Sequence, residues 1–171
     1  MDLGRTLAKD AAKKGICKPW HDELRNFGND IDKILEMYLK GIDFCLESDF
    51  PDKDFIAKHF KGKMETSGVF LDDAIDIWDA KKVVALGTTS GNVHTTRYGV
   101  SEVFVTHDAD LDILPKENSF VVVDVWGNAT VRVRSYHRAR VCVNIYSSNA
   151  KVEYSQNDES LVKVRYKYNK N

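Results

Sequence analysis

Residues 121–133 read VVVDVWGNATVRV, two valine-rich segments separated by a glycine and an asparagine. Valines stand at every second position of each segment, which is the pattern of a strand that buries one face. Gly127 and Asn128 are residue types that tight turns favour. The stretch therefore predicts two short strands joined by a tight turn, with the second strand beginning ten residues after the first.

The same unit recurs through the C-terminal half of the chain. Its leading apolar residue stands at positions 83, 93, 103, 111, 121, 131, 141, 152 and 162, in steps of 10, 10, 8, 10, 10, 10, 11 and 10 residues. Turn-forming residues, among them those at 90–92 and 157–158, lie between the units. This regularity predicts a β-repeat of nine short strands.

A ten-residue period fits either an antiparallel β-sandwich or a parallel β-solenoid with several strands per coil. The middle residue of each unit points away from the flanking valines. Every second unit gives a mostly apolar column, and the remaining units give a polar one. The first column is Val84, Phe104, Val122, Cys142 and Lys163, and the second is His94, Asp112, Arg132 and Glu153. A coil of two strands explains both columns, a sandwich can also produce them, and the near-interchangeable units favour the solenoid.

The N-terminal half has helical periodicity instead. Leu3, Leu7 and Ala11 are four residues apart, and apolar residues follow the i, i+3, i+4 rule from residue 31 to residue 46. Gly41 interrupts that second pattern, so it marks a bend or allows another element to approach closely. The expected fold class is α+β, with a helical domain at 1–80 and a β-repeat domain at 81–171. Within the helical domain, the last predicted helix is followed by an acidic linker that contains Asp72, Asp73, Asp76 and Asp79.

Charge is distributed unevenly along the chain. Residues 1–80 carry 17 acids and 12 bases (−5), whereas residues 81–171 carry 9 acids and 13 bases (+4), which gives the net charge of −1. Opposite charges allow the halves to dock on each other or on a partner. The sequence has neither a basic start followed by an apolar segment nor a run of eighteen apolar residues, so we expect a cytoplasmic protein without a membrane segment.

The sequence has no motif that assigns catalysis, a cofactor or a metal. The cysteines at 17, 45 and 142 are widely spaced, and the histidines show neither His-x-His nor His-Glu-x-x-His spacing. Residues 107–112, HDADLD, lack the glycine and glutamate of a calcium-binding EF-hand loop. Phosphate-loop and nucleophile-elbow motifs are also absent. We therefore favour a protein that is not an enzyme and predict no cofactor.

Basic and aromatic residues near the C-terminus form the candidate interaction surface. One set lies at residues 132–140 and the other at residues 163–167. In each set the residues alternate with others along a predicted strand, so their side chains project mainly to one side. Arginines interleaved with aromatic residues can bind phosphates and stack on bases. The chain as a whole is slightly acidic, which favours docking to the acidic helical half or to an acidic protein partner instead. The set comprises Arg132, Arg134, Tyr136, Arg138, Arg140, Lys163, Arg165 and Lys167.

Four segments of the chain form a distinctive set: residues 15–20 (GICKPW), 37–46 (MYLKGIDFCL), 68–73 (GVFLDD) and 127–131 (GNATV). With these segments the chain resembles uncharacterised proteins encoded by gut bacteria and their phages or mobile elements. The resemblance implies a helical region joined to a β-repeat and a phage or prophage origin. It carries no activity onto any residue.

The sequence thus predicts a non-enzymatic protein-interaction or accessory protein with a rigid β-repeat surface. Its expected partner is another protein, with nucleic acid or a second copy of the chain as alternatives. Two other functions stay open: a nucleic-acid-binding accessory protein that uses the arginines, and a small-ligand-binding or catalytic protein with a site between the two halves.

Overall fold

The computed structural model describes residues 1–169. The chain divides into two compact units, Met1–Gly62 and Lys63–Asn171. The first unit is helical, and the second is a parallel β-solenoid. The predicted α+β fold, with a helical region followed by a solenoid, is therefore confirmed.

Aspartates begin three of the five α-helices in the described chain. The carboxylates of Asp2, Asp30 and Asp52 accept hydrogen bonds from backbone N–H groups three residues later, at 2.9, 3.2 and 2.8 Å. These bonds satisfy donors that the first helical turn leaves unpaired. Among the described residues, no helix is both long and apolar enough to cross a bilayer. The helices are α1 (Leu3–Lys13), α2 (Lys18–Asn26), α3 (Ile31–Lys40), α4 (Ile42–Ser48) and α5 (Lys53–His59).

Gly41 divides the long helix that the periodicity of residues 31–46 suggests. α3 ends at Lys40 and α4 begins at Ile42, with Gly41 at φ −103° and ψ 28° between them. A Cβ atom at Gly41 would lie 2.7 Å from a ring carbon of Trp20. The glycine therefore both marks a bend and admits the indole ring of α2, as its position in the sequence suggested.

The strands of the second unit alternate between two parallel sheets. The six-stranded sheet has the order β1-β3-β5-β7-β9-β11, and the five-stranded sheet has the order β10-β8-β6-β4-β2. Every strand pair among the described residues is parallel, which excludes the antiparallel sandwich. The strands are β1 (Val69–Leu71), β2 (Ala74–Trp78), β3 (Lys82–Leu86), β4 (Ser90–Thr95), β5 (Val100–Val105), β6 (Asp110–Pro115), β7 (Phe120–Val125), β8 (Thr130–Ser135), β9 (Arg140–Ile145), β10 (Lys151–Gln156) and β11 (Leu161–Tyr166).

The solenoid begins earlier than the predicted boundary at residue 80. β1 pairs with β3 and β2 pairs with β4, so residues 69–78 belong to the two sheets. The acidic residues expected to form a linker instead help to build the first corners. Asp72 accepts from the N–H of Thr88 at 2.8 Å, and Asp79 accepts from the N–H of Thr96 at 2.7 Å. Turn-forming aspartates within a sheet and aspartates in a solvated linker look alike in sequence.

The strands recur more regularly in the structure than the spacing of the leading apolar residues suggested. Ile113, rather than Leu111, is in register with Val93 and Val133, so the expected eight-residue step is in fact ten residues. The register also separates the two predicted columns. Phe104 lies opposite Asp124 instead of Val122, and His94 lies opposite Leu114 instead of Asp112. Each predicted column therefore combines two neighbouring columns of the sheet.

The core lies between the inner faces of the two sheets. It consists mainly of β-branched residues that are shielded from solvent, such as Val93, Val103, Val123 and Val133. Burying one such side chain contributes roughly 1.5–3 kcal/mol relative to leaving it exposed. The repeated valines therefore supply both the strand propensity and the core of the solenoid.

A residue in the left-handed conformation forms most corners between strands, and it recurs every ten residues from Gly87 to His137. Two residues after the corner, a small side chain such as Ala109, Ser119, Ala129 or Ala139 is fully buried. The left-handed residue turns the chain, and the small residue fits inside the bend. The left-handed corner residues are Asp72, Asp79, Gly87, Arg97, His107, Glu117, Gly127, His137 and Asp158, with φ between 53° and 64°.

Side chains at several corners also bind the neighbouring coil. His107 Nδ1 accepts from the N–H of Gly87 at 3.0 Å, and His137 Nδ1 accepts from the N–H of Glu117 at 3.0 Å. Asp158 Oδ2 accepts in turn from the N–H of His137 at 2.9 Å. The two corner histidines therefore link successive coils, because a ring nitrogen of each accepts a backbone hydrogen bond from the preceding coil.

Replacing Val133 by aspartate is expected to destabilise the protein by several kcal/mol. The carboxylate would enter the core, where it has no partner. Arg134→Ser is the matched control, since the adjacent side chain is exposed and its loss should change the free energy of unfolding by less than about 0.5 kcal/mol. Urea denaturation followed by circular dichroism measures both. Equal losses would contradict the assignment of inner and outer faces.

The corner hydrogen bonds predict a difference between two substitutions at His137. His137→Ala removes the acceptor for the Glu117 N–H and places alanine in the left-handed region, so we expect a loss of about 1–2 kcal/mol in the free energy of unfolding. His137→Asn keeps a side-chain acceptor and tolerates the same backbone conformation, so its loss should be about half as large or less. Thermal and urea denaturation can compare the two variants, and an equal loss would show that the acceptor is unimportant.

Candidate interaction surface

The predicted interaction residues are divided between the two sheets of the solenoid. Because the sheets flank one core, their outer faces point in different directions. In the five-stranded sheet, β8 carries Arg132 and Arg134, and Tyr136 follows it directly. Arg138 lies in the next corner. In the six-stranded sheet, β9 carries Arg140, β11 carries Lys163 and Arg165, and Lys167 follows β11. The structure therefore brings Arg132, Arg134 and Tyr136 together but separates them from the residues of β11.

Arg132 is held by two carboxylates of the neighbouring strand. Its Nε donates to Asp112 Oδ1 at 2.7 Å, and its Nη2 donates to Asp110 Oδ1. The hydrogen bonds that the guanidinium donates, first to Asp110 and then to Asp112, raise its pKa. The positive charge of Arg132 is therefore balanced within the five-stranded sheet, which leaves it poorly suited to neutralise a phosphate.

Arg138 and Arg140 bind residues of the following coil. Arg138 Nε donates to Glu159 Oε2 at 3.1 Å, although both side chains are largely exposed and such pairs contribute little to stability. Arg140 Nη1 donates to the carbonyl oxygens of Arg138 at 2.9 Å, Ala139 at 3.3 Å and Glu159 at 3.1 Å. These contacts fix the guanidinium of Arg140 at the start of β9.

Within residues 1–169, Arg134 has no acidic partner, unlike Arg132 and Arg138. It is exposed, and no carboxylate among the described residues pairs with it. Its side chain lines a shallow surface depression together with Leu114, Lys116, Tyr136 and His137. The depression combines positive charge with an aromatic ring, which is the chemistry that suits an anionic or nucleotide ligand.

The acidic segment at residues 107–112 is occupied by structural contacts. His107 binds the preceding coil, and Asp110 and Asp112 bind Arg132. Within residues 1–169, no group of three or more His, Cys, Asp or Glu side chains is placed to hold a metal ion. The segment therefore serves the packing of the solenoid.

An exposed apolar column runs along one margin of the six-stranded sheet. It consists of Val100, Phe120 and Leu161, the first outward residues of β5, β7 and β11, and Arg140 occupies the position between Phe120 and Leu161. The three apolar residues are 59%, 43% and 53% exposed. Tyr98, in the corner before Val100, is 83% exposed. We call Val100, Phe120 and Leu161 the apolar column.

Sequence reasoning missed the apolar column because it aligned the repeat on inward-facing valines. The signal that could have revealed the column is the spacing of 20, 20 and 21 residues between positions 100, 120, 140 and 161. That spacing becomes visible only when the corner residues, rather than the valines, define the register. The column is therefore a feature of the outer face that the core pattern does not reveal.

Aromatic side chains also stack across neighbouring strands on the outer faces. Trp126 and Tyr146, which directly follow β7 and β9, have ring centroids 4.1 Å apart and planes inclined by 3°. Trp78 and His94 of the five-stranded sheet stack at 3.8 Å and 5°. In both pairs, each ring therefore packs against a ring of the neighbouring coil.

Comparison of the chain with protein-family models, with curated proteins and with solved structures finds no match. Function must therefore be argued from the geometry of the described residues.

The contacts of Arg132 predict that its loss is more harmful than the loss of Arg138. Arg132→Gln leaves Asp110 and Asp112 without their shared cation, so we expect a loss of about 1 kcal/mol in the free energy of unfolding. Arg138→Gln breaks one exposed pair and should cost less than about 0.5 kcal/mol. Urea denaturation of both variants measures the difference, and a larger effect at Arg138 would contradict this account.

Proposed function

We propose that the protein is a non-enzymatic protein-interaction or accessory protein that presents one face of a rigid β-solenoid to a protein partner. Its sequence resemblance supports a phage or prophage origin. The observation that carries the proposal is the apolar column of Val100, Phe120 and Leu161. These residues remain exposed although the same sheet buries its inner face completely at β5 and β7.

The composition of this margin suits a protein interface. Exposed apolar patches rimmed by polar residues commonly mark interaction sites, and here Val100 and Phe120 are adjacent while Arg140 separates them from Leu161. Tyrosine and arginine are enriched among the residues that contribute most to binding energy, and Tyr98 and Arg140 accompany the column. Parallel strands are about 4.8 Å apart, so Val100 and Leu161, three strands apart in the sheet, span roughly 14 Å. That length matches the central part of a typical interface rather than its whole area.

Nucleic-acid binding is the second candidate, and the depression around Arg134 favours it. Lys116 and Tyr136 accompany this arginine, so a phosphate and a base could both find a partner there. The other arginines support it less, because Arg132 is held by carboxylates and Arg140 by carbonyl oxygens. The modest charge of +4 over residues 81–171 also makes it the weaker candidate.

The two candidates can be separated by affinity capture from a lysate of a gut bacterium, with and without nuclease. The test variant is Val100→Thr with Phe120→Thr, which removes apolar surface while keeping residues that favour strands. The control is Trp78→Thr, which removes a similarly exposed apolar side chain, 57% exposed, from the five-stranded sheet. We expect the wild-type protein to capture a partner whether or not nuclease is added. The double variant should fail to capture that partner, and the control should still capture it.

A second measurement tests the alternative directly with a labelled oligonucleotide at several salt concentrations. If Arg134 and its neighbours bind phosphates, affinity should fall steeply with salt, and Arg134→Ser should reduce the log–log slope by roughly 0.7–0.9. We expect no such binding. Nuclease-sensitive capture, or capture that the apolar-column variant leaves unchanged, would overturn the protein-interaction proposal.

A further inference from the structure

The helical unit contains a cavity of about 310 Å³, and the residues that line it all belong to this unit. All five helices or the turns beside them contribute to its wall. Leu7, Leu24, Ile34, Phe50 and Phe60 are buried residues that supply much of its apolar surface. The volume falls within the usual range of small-molecule pockets, which is about 300–1,000 Å³.

Lys40 supplies the one ordinarily charged side chain in the wall of the cavity, and its charge is already paired outside the wall. No carboxylate lines the cavity. Tyr38 and Cys45 are buried, and loss of solvation raises the pKa of Cys45 to about 12 and also raises the pKa of Tyr38. Both groups are therefore neutral at pH 7. Lys40 is the one lysine in the wall, and it is exposed and forms an ion pair with Glu36 at 3.3 Å.

The position of Trp20 shows how the sequence shapes one side of the cavity. The indole ring lines the cavity and packs directly against Gly41, where a Cβ atom would lie 2.7 Å from the ring. A larger residue at position 41 would push the ring away. The break between α3 and α4 therefore fixes the wall as well as the path of the chain.

We propose that this cavity binds a neutral, apolar small molecule of about two or three fused or linked rings, or an aliphatic molecule of similar volume. Apolar cavities of about 150 Å³ take up a single benzene ring, so twice that volume accommodates a larger molecule. A charged ligand is disfavoured because its charge would lose solvation without gaining a free counter-ion in the wall. This site is independent of the apolar column, since residues 1–62 alone line it.

The proposal is tested on the full chain with two dyes that share one skeleton. N-phenyl-1-naphthylamine is neutral, and 8-anilinonaphthalene-1-sulfonate adds a sulfonate. We expect the neutral dye to bind with one-to-one stoichiometry and at least about tenfold more tightly than the sulfonate, because burying the charge costs free energy. Equal or tighter binding of the sulfonate would refute the neutral ligand class, and failure of the neutral dye to bind would refute the site.

Methyl resonances of the wild-type protein locate the bound dye without any substitution. The neutral dye should shift the methyl signals of Leu7, Leu24 and Ile34 and leave those of Val141 and Val143 in the solenoid unchanged. Shifts confined to the solenoid would overturn the assignment.

Two filling variants then test the wall itself. Ile16→Trp enlarges a half-buried residue of the cavity, and Leu24→Phe enlarges a buried one. Ile31→Trp is the matched control, since Ile31 is also half-buried but does not line the cavity. We expect each folded filling variant to weaken the neutral dye at least about fivefold and the control to bind as the wild type does. Unchanged affinity in a folded filling variant would contradict the site.

Discussion

The solenoid depends on a corner that returns the chain after ten residues. A left-handed residue turns the backbone, a small buried residue two positions later fills the inside of the bend, and the next strand then lies parallel to the strand two units earlier. Glycine adopts this conformation at little cost, but histidine, glutamate and arginine also occupy the corner. His107 and His137 gain a hydrogen bond to the neighbouring coil, which helps to offset the cost of the left-handed backbone.

Regular corners place equivalent residues in columns, and the columns decide how charge is used. Asp112 and Arg132 lie directly opposite each other on adjacent strands, so they neutralise each other within the sheet. A group of arginines that looks basic in sequence is therefore partly consumed by contacts that hold the coils together. The same regularity aligns Val100 with Phe120 on the outer face, where no such pairing uses them. The outer surface thus combines stabilising ladders with a short apolar column.

The helical unit follows a different constraint, since its elements pack through side chains rather than through a backbone ladder. Gly41 shows this most clearly: the missing side chain lets Trp20 approach, and the chain bends where the helix is interrupted. The packing of short helices leaves an apolar cavity, and burial keeps the Tyr38 hydroxyl and the Cys45 thiol in its wall neutral. Apolar cavities of this kind remain stable without water, which makes them suited to apolar ligands.

The sequence predicted the helical region and the inward valines, because short segments already display periodicities of 3.6 and 2 residues, and it also revealed the ten-residue repeat. It also indicated the special role of Gly41. The tertiary structure alone decided the register, since Leu111 and Ile113 both fit the start of a unit and only strand pairing selects between them. Register in turn decided that Asp110 and Asp112 hold Arg132 and that Val100, Phe120 and Leu161 form a column. Contacts between residues about twenty positions apart depend on the closed coil, and no local pattern in the chain encodes them.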